Sequence, residues 1–142
     1  MRLLCLFALS ILWSVPLTAQ PASEDPASAA ERPAPFSAPD REMMVPVEGG
    51  EVWVRINGDI APSDKAPAIF IHGGPGGTHA GFAAMLGLAS ERPIILYDQL
   101  GSGKSDRPDN PANWRVERFV EELEAVRAAV GAEKLHLIGV SW

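Results

Sequence analysis

Three short stretches carry residue types whose spacing points to chemistry. The first is Gly139-Val140-Ser141, which follows the apolar run 135–138. It reads as the first three positions of a Gly-x-Ser-x-Gly elbow, where a serine stands on a sharp strand-to-helix turn with its hydroxyl above the sheet. Such a hydroxyl is a weak nucleophile until a base, normally a histidine oriented by a carboxylate, removes its proton. The second stretch is His72-Gly73-Gly74-Pro75-Gly76, directly after the apolar run 68–71. Glycines let backbone N–H groups approach a substrate oxygen closely, which in acyl transfer is the task of an oxyanion hole. Gly74 is the expected donor from this loop, and Trp142, the residue after the serine, the second. Alone, the loop also fits a structural turn or a phosphate cradle; paired with the serine it points to acyl transfer.

The third stretch, Gly101-Ser102-Gly103-Lys104-Ser105, ends as a nucleotide-binding P-loop does. A P-loop needs a glycine where Asp98 stands, and a helix where Pro108 and Pro111 follow. The segment is read instead as the floor of a cleft, with Asp98 and Ser105 satisfying backbone groups.

Bulk composition removes other classes. The net charge of -6 offers no basic surface to nucleic acid. One cysteine, Cys5, builds neither a disulfide framework nor a thiolate metal site. His72, His79 and His136 lack metal-ligand spacing, and each is expected to be structural.

These stretches need elements to position them, and the length allows at most one domain. Residues 1–19 read as a signal peptide: Arg2, an apolar run too short to span a bilayer, then a cleavage site after Ala19. They predict an exported protein, periplasmic or secreted, with no stable membrane span after cleavage. Residues 20–41, rich in Pro and Ala, read as a linker, and 42–142 as the folded part. There, 43–47 and 51–56 form a hairpin through Gly49-Gly50, and 68–71, 92–97 and 135–138 are buried strands. Residues 78–89 read as one helix and 114–130 as a second. The second is capped by Asn113 and closed by Gly131. Its apolar stripe is Val116, Phe119, Val120, Leu123, Val126 and Val130, with Glu117, Arg118, Glu121, Glu122 and Arg127 on the other faces. Strands alternating with helices predict an α/β fold with a largely parallel sheet.

The blocks 72–76, 97–105 and 139–142, at this spacing, resemble the proline iminopeptidase family of α/β-hydrolases over about residues 43–142. The resemblance implies the N-terminal half of an α/β-hydrolase fold, an antiparallel hairpin leading into a mostly parallel sheet with flanking helices, truncated at the nucleophile elbow. It implies a serine aminopeptidase that releases N-terminal residues, often proline, from a peptide or small amide or ester substrate through an acyl-enzyme. Ser141 would be the nucleophile, with the backbone N–H groups of Gly74 and Trp142 as oxyanion donors. Members generally use no metal or organic cofactor. Leu100 stands where proline-specific members often carry arginine, as in relatives of broader specificity. In this fold the serine is followed by the acid and then the histidine. Both, with the substrate-recognising cap, are expected beyond residue 142, so residues 1–142 alone are expected to be inactive. The run 135–140, central in a complete sheet, is expected to form an apolar edge here and to make the isolated chain marginal or insoluble. The rivals are an esterase- or lactonase-type hydrolase on the same fold and a non-catalytic secreted binding module. An epoxide hydrolase would need an aspartate at position 141. No oligomeric state is assigned.

Overall fold

The computed structural model describes residues 37–61, 64–74 and 76–141. The signal-peptide reading and most of the linker fall outside these residues, as do Pro75 and Trp142. Strand β1 (Arg41–Val47) pairs antiparallel with β2 (Gly50–Asn57), Val45 facing Val52 and Val47 facing Gly50. The turn is therefore Glu48-Gly49, and Gly50 already belongs to the ladder. Chain order begins before residue 42. Asn57 Nδ2 donates to Ala38 O at 2.9 Å, Gly58 N to Asp40 Oδ2 at 2.7 Å, and the Arg55 guanidinium to Ser37 O.

Strand β2 pairs antiparallel with β4 (Ile94–Tyr97), and β3 (Ala68–Ile71) lies parallel between β4 and β5 (His136–Gly139). The order is β1-β2-β4-β3-β5. Parallel neighbours require crossovers, and the two available ones cover opposite faces. Helix α1 (Val116–Val130) follows β4 and packs Val126 and Val130 against Val54, Ile69, Ile95 and Tyr97. The 3-10 helix His79–Ser90 follows β3 and sets Leu86 against Ala68, Phe70, Ile94 and Leu96. Strands covered on both faces bury alternate residues on each, which is why β3 and β4 read as unbroken apolar runs. Among the described residues no helix is long and apolar enough to cross a membrane.

Four expectations change. Residues 78–89 do not form a regular α-helix: the segment is 3-10, with Phe82 at non-helical φ −110° and ψ 16°. Gly81 and Gly87 weaken it, and its apolar residues follow no helical stripe, so only Leu86 is buried. The second helix starts at Val116, and Arg115, without a side-chain cap, stands at its N-cap. Asn113 instead ends the short 3-10 turn Pro111–Asn113 and lies buried. Gly131 closes the helix as expected, in the left-handed conformation at φ 79°. The buried row of α1 is Arg118, Glu122, Val126 and Val130, while Val116 and Val120 are 58% and 61% exposed. Finally, β5 is not buried as the run 135–138 reads on its own; it is instead the apolar edge expected of 135–140 here. It is the last strand of the sheet among the described residues, flanked by β3 alone, and His136, Leu137 and Ile138 are all exposed.

Candidate active site

Strands β3, β4 and β5 run parallel, so the loops that follow them gather at one end of the sheet, where α/β sheets place ligands. Ile71 is level with Gly139, and Val140 N extends the pairing by donating to Ile71 O at 3.2 Å. That register lays Ser141 against the glycine loop. A Cβ on Gly73 would stand 2.7 Å from Ser141 Cβ and 2.8 Å from Val140 O, so the approach demands glycine. Ser141 is exposed and holds φ 63°, the only non-glycine positive φ among the described residues. Such a backbone costs a serine on the order of 1 kcal/mol or more and is held by its surroundings.

The glycine loop is fastened to the two residues that follow β4. His72 is buried, and its Nε2 accepts from Gln99 N at 3.0 Å. A backbone N–H only donates, so Nδ1, 2.8 Å from Gly73 O, carries the proton and donates to that carbonyl. Gln99 Nε2 donates to His72 O at 2.6 Å. At the far end of the loop, His79 N donates to Asp98 Oδ1 at 2.7 Å, and His79 Nδ1 stands 2.9 Å from both Asp98 oxygens.

Asp98 is fully buried and also accepts from Lys104 N at 2.9 Å. Burial alone would raise its pKa; the hydrogen bonds from His79 N, Lys104 N and the His79 ring outweigh it and hold the carboxyl below its usual value. Ser105 Oγ accepts from Trp53 N at 2.8 Å and donates to Asp98 O at 2.5 Å. Asp98 and Ser105 thus satisfy backbone groups, as the sequence suggests. Lys104 Nζ sits 4.1 Å from the Trp53 ring centroid and 3.4 Å from Glu42 Oε1. Trp53 in turn contacts the His79 ring, centroids 4.4 Å apart.

A cavity of about 310 Å3 opens beside the loop, lined by Gly74, Tyr97, Gln99, Leu100, Trp114 and Phe119 among others. Below it lies a charged pair that pattern reading assigns to solvent. Arg118 Nη2 stands 2.7 Å from Glu122 Oε2, both side chains being almost fully buried. Arg118 Nε donates to Asn113 O at 2.7 Å and Glu122 Oε2 accepts from Leu100 N at 3.3 Å. Burial pushes the Glu122 carboxyl up, against the pull of Arg118, and burial with the nearby Glu122 charge pushes the Tyr97 phenol up.

Of the sequence-derived site residues, Ser141 and the loop carrying Gly74 are brought together, and Trp142 lies outside the described residues. His72 and His79 are engaged with Gln99 and Asp98, and His136 is exposed on β5. Gln99 was not singled out from sequence. Its position directly after a strand was the signal available. The spacing of four between Arg118 and Glu122 was visible too, but it equally fits a solvated face.

Residues 67–142 match the family profile described as alpha/beta hydrolase fold. The chain is 50% identical over 76 residues to a proline iminopeptidase of Heyndrickxia coagulans, a match covering 54% of this chain and 26% of that protein. It is 42% identical over 100 residues to a proline iminopeptidase of Lactiplantibacillus plantarum, covering 69% and 34%. The crystal structure of a proline iminopeptidase from Mycobacterium smegmatis superposes with a TM-score of 0.65 at 38% identity, over 72% of this chain and 36% of that one. The chain thus spans between about a quarter and about a third of the length of these relatives. A five-stranded mixed sheet with crossovers on both faces, a strained serine after the fifth strand and a profile match over more than half the sequence agree: the chain belongs to the alpha/beta-hydrolase fold family.

Proposed function

We propose that this chain is part of a serine hydrolase that releases N-terminal residues from peptides, as its proline iminopeptidase relatives are named for doing. The observation that carries the reading is Ser141 at φ 63°, at the end of β5 and against Gly73. Ser141 Oγ forms a bond to the peptide carbonyl carbon as its proton passes to a base. The carbonyl oxygen takes the charge and is met by the N–H groups of Gly74 and Trp142. Collapse breaks the C–N bond, the amine leaves with the proton, and water then hydrolyses the ester. The acid and histidine come from sequence beyond residue 142, so residues 1–142 alone do not turn over. Leu100 lines the cavity beside the loop and supports specificity broader than proline. Residues 1–19 are a signal peptide and 20–41 a linker, and the protein is exported.

The test uses the complete gene product. A fluorophosphonate should label Ser141, aminoacyl amides with a free N-terminus should be cleaved while their N-acylated counterparts are not, and Ser141→Ala should remove labelling and cleavage together. An unlabelled Ser141 in folded protein would refute the reading. Turnover by residues 1–142 above their own Ser141→Ala control would refute the placing of the base. N-terminal sequencing of the exported protein should begin at Gln20.

A further inference from the structure

An oxyanion donor works only when its N–H is aimed where charge develops, and a misplacement of about 1 Å can cost roughly 100-fold in rate. A loop of glycines does not hold such an aim by itself, because glycine restricts its own backbone least. Something outside the loop must fix it. The Gly74 N–H shares a rigid peptide plane with the Gly73 carbonyl, and the two point in opposite directions. Whatever holds Gly73 O therefore sets the direction of Gly74 N–H.

Gly73 O is held by His72 Nδ1 at 2.8 Å. The His72 ring is held in turn at Nε2 by Gln99 N at 3.0 Å, and the preceding peptide plane is held at His72 O by Gln99 Nε2 at 2.6 Å. Two consecutive peptide planes of the loop thus answer to one residue. Gln99 is itself anchored, because its neighbour Asp98 is tied to β2 through Asp98 N–H donating to Trp53 O at 3.0 Å.

We propose that Gln99 is a positioning residue: its side-chain amide fixes the peptide plane of His72 O, its backbone N–H sets the Nδ1–H tautomer of His72 that holds Gly73 O, and the two planes together aim Gly74 N–H. The inference rests on reading Gly74 as an oxyanion donor. Gln99 touches no reacting atom in this scheme; it acts through His72.

Gln99→Met keeps the bulk and the backbone N–H while removing the side-chain donor. In the complete gene product it should lower kcat about 10- to 100-fold with KM within about twofold, and slow fluorophosphonate labelling of Ser141 by a similar factor. Gln99→Met with unchanged kcat and labelling, while wild type is labelled, overturns the inference and leaves the reading of Ser141 intact. Unlabelled wild-type protein overturns both. A second measurement needs no variant: the 15N spectrum of the wild-type His72 ring should show a protonated Nδ1 and an unprotonated Nε2. The opposite tautomer breaks the relay at Gly73 O and overturns the inference even if Gln99→Met fails to fold.

Discussion

At Gly103 a single missing methyl group decides whether the floor of the cleft can form. Its φ is +50°, and a Cβ there would stand 2.0 Å from Asp98 Oδ2. That oxygen cannot swing away, because Lys104 N and the His79 ring hold it. Gly103→Ala should therefore lower stability by roughly 2–4 kcal/mol, read from urea unfolding. Gly81 is the contrast: a Cβ there meets nothing within 4 Å, so Gly81→Ala should raise stability by about 0.5–1 kcal/mol. Asp98 also sets an acid limit. Its folded pKa is depressed, so the stability it contributes is fully present above the unfolded carboxyl value of about 3.9 and is lost as pH falls through the lower folded value. Stability measured from pH 5 downward should fall less steeply in Asp98→Asn than in wild type, although the variant starts lower at neutral pH.

At the scale of elements, α1 is governed by a pair of charges rather than by its apolar stripe. Arg118 and Glu122 neutralise each other beneath the cavity while binding Asn113 O and Leu100 N, so a row with two charges can be the buried one. Arg118→Met leaves Glu122 buried without its cation and should cost about 3–5 kcal/mol; Arg118→Met with Glu122→Leu should recover most of that loss. Calorimetric melts of the two variants and the parent separate these outcomes. The sequence contained the spacing but not its direction, because a salt bridge at i and i+4 fits either face of a helix. Strands β1 to β4 were legible nearly to the residue, since runs such as Ile69-Phe70-Ile71 leave little choice. The exposure of β5 was legible only through the family resemblance, which makes 135–140 an edge here; the apolar run alone reads as buried, because burial depends on neighbours that local sequence does not specify. For residues 79–90 an apolar composition without periodicity passed for a helix that the glycines at 81 and 87 weaken.

At the largest scale, the sheet ends at β5 among the described residues, with Leu137 58% and Val140 57% exposed and no strand paired on its outer side. Such an edge is a template for another copy of itself. Residues 1–142 expressed alone should self-associate, and Leu137→Lys should raise the soluble fraction several-fold on size-exclusion chromatography. A monomer with a sharp, cooperative melt would contradict this expectation. The same topology explains which parts of the site could be read in advance. Ser141 and Gly74 each sit in a motif that local sequence is enough to mark as a candidate. Gln99 and His72 stand 27 residues apart, and their exchange of hydrogen bonds exists only because β3 and β4 are neighbours.

The left-handed backbone at Ser141 bears on how this chain would drift over generations. Folding alone would favour glycine at position 141, since glycine accepts that conformation without penalty. A lineage selected only to keep the sheet intact, such as a decayed copy retained as a binding module, should lose the serine there early. Gly103 should outlast it, because folding itself depends on that glycine. In relatives of this chain, the order in which positions 141 and 103 change would thus record whether chemistry or mere persistence was under selection.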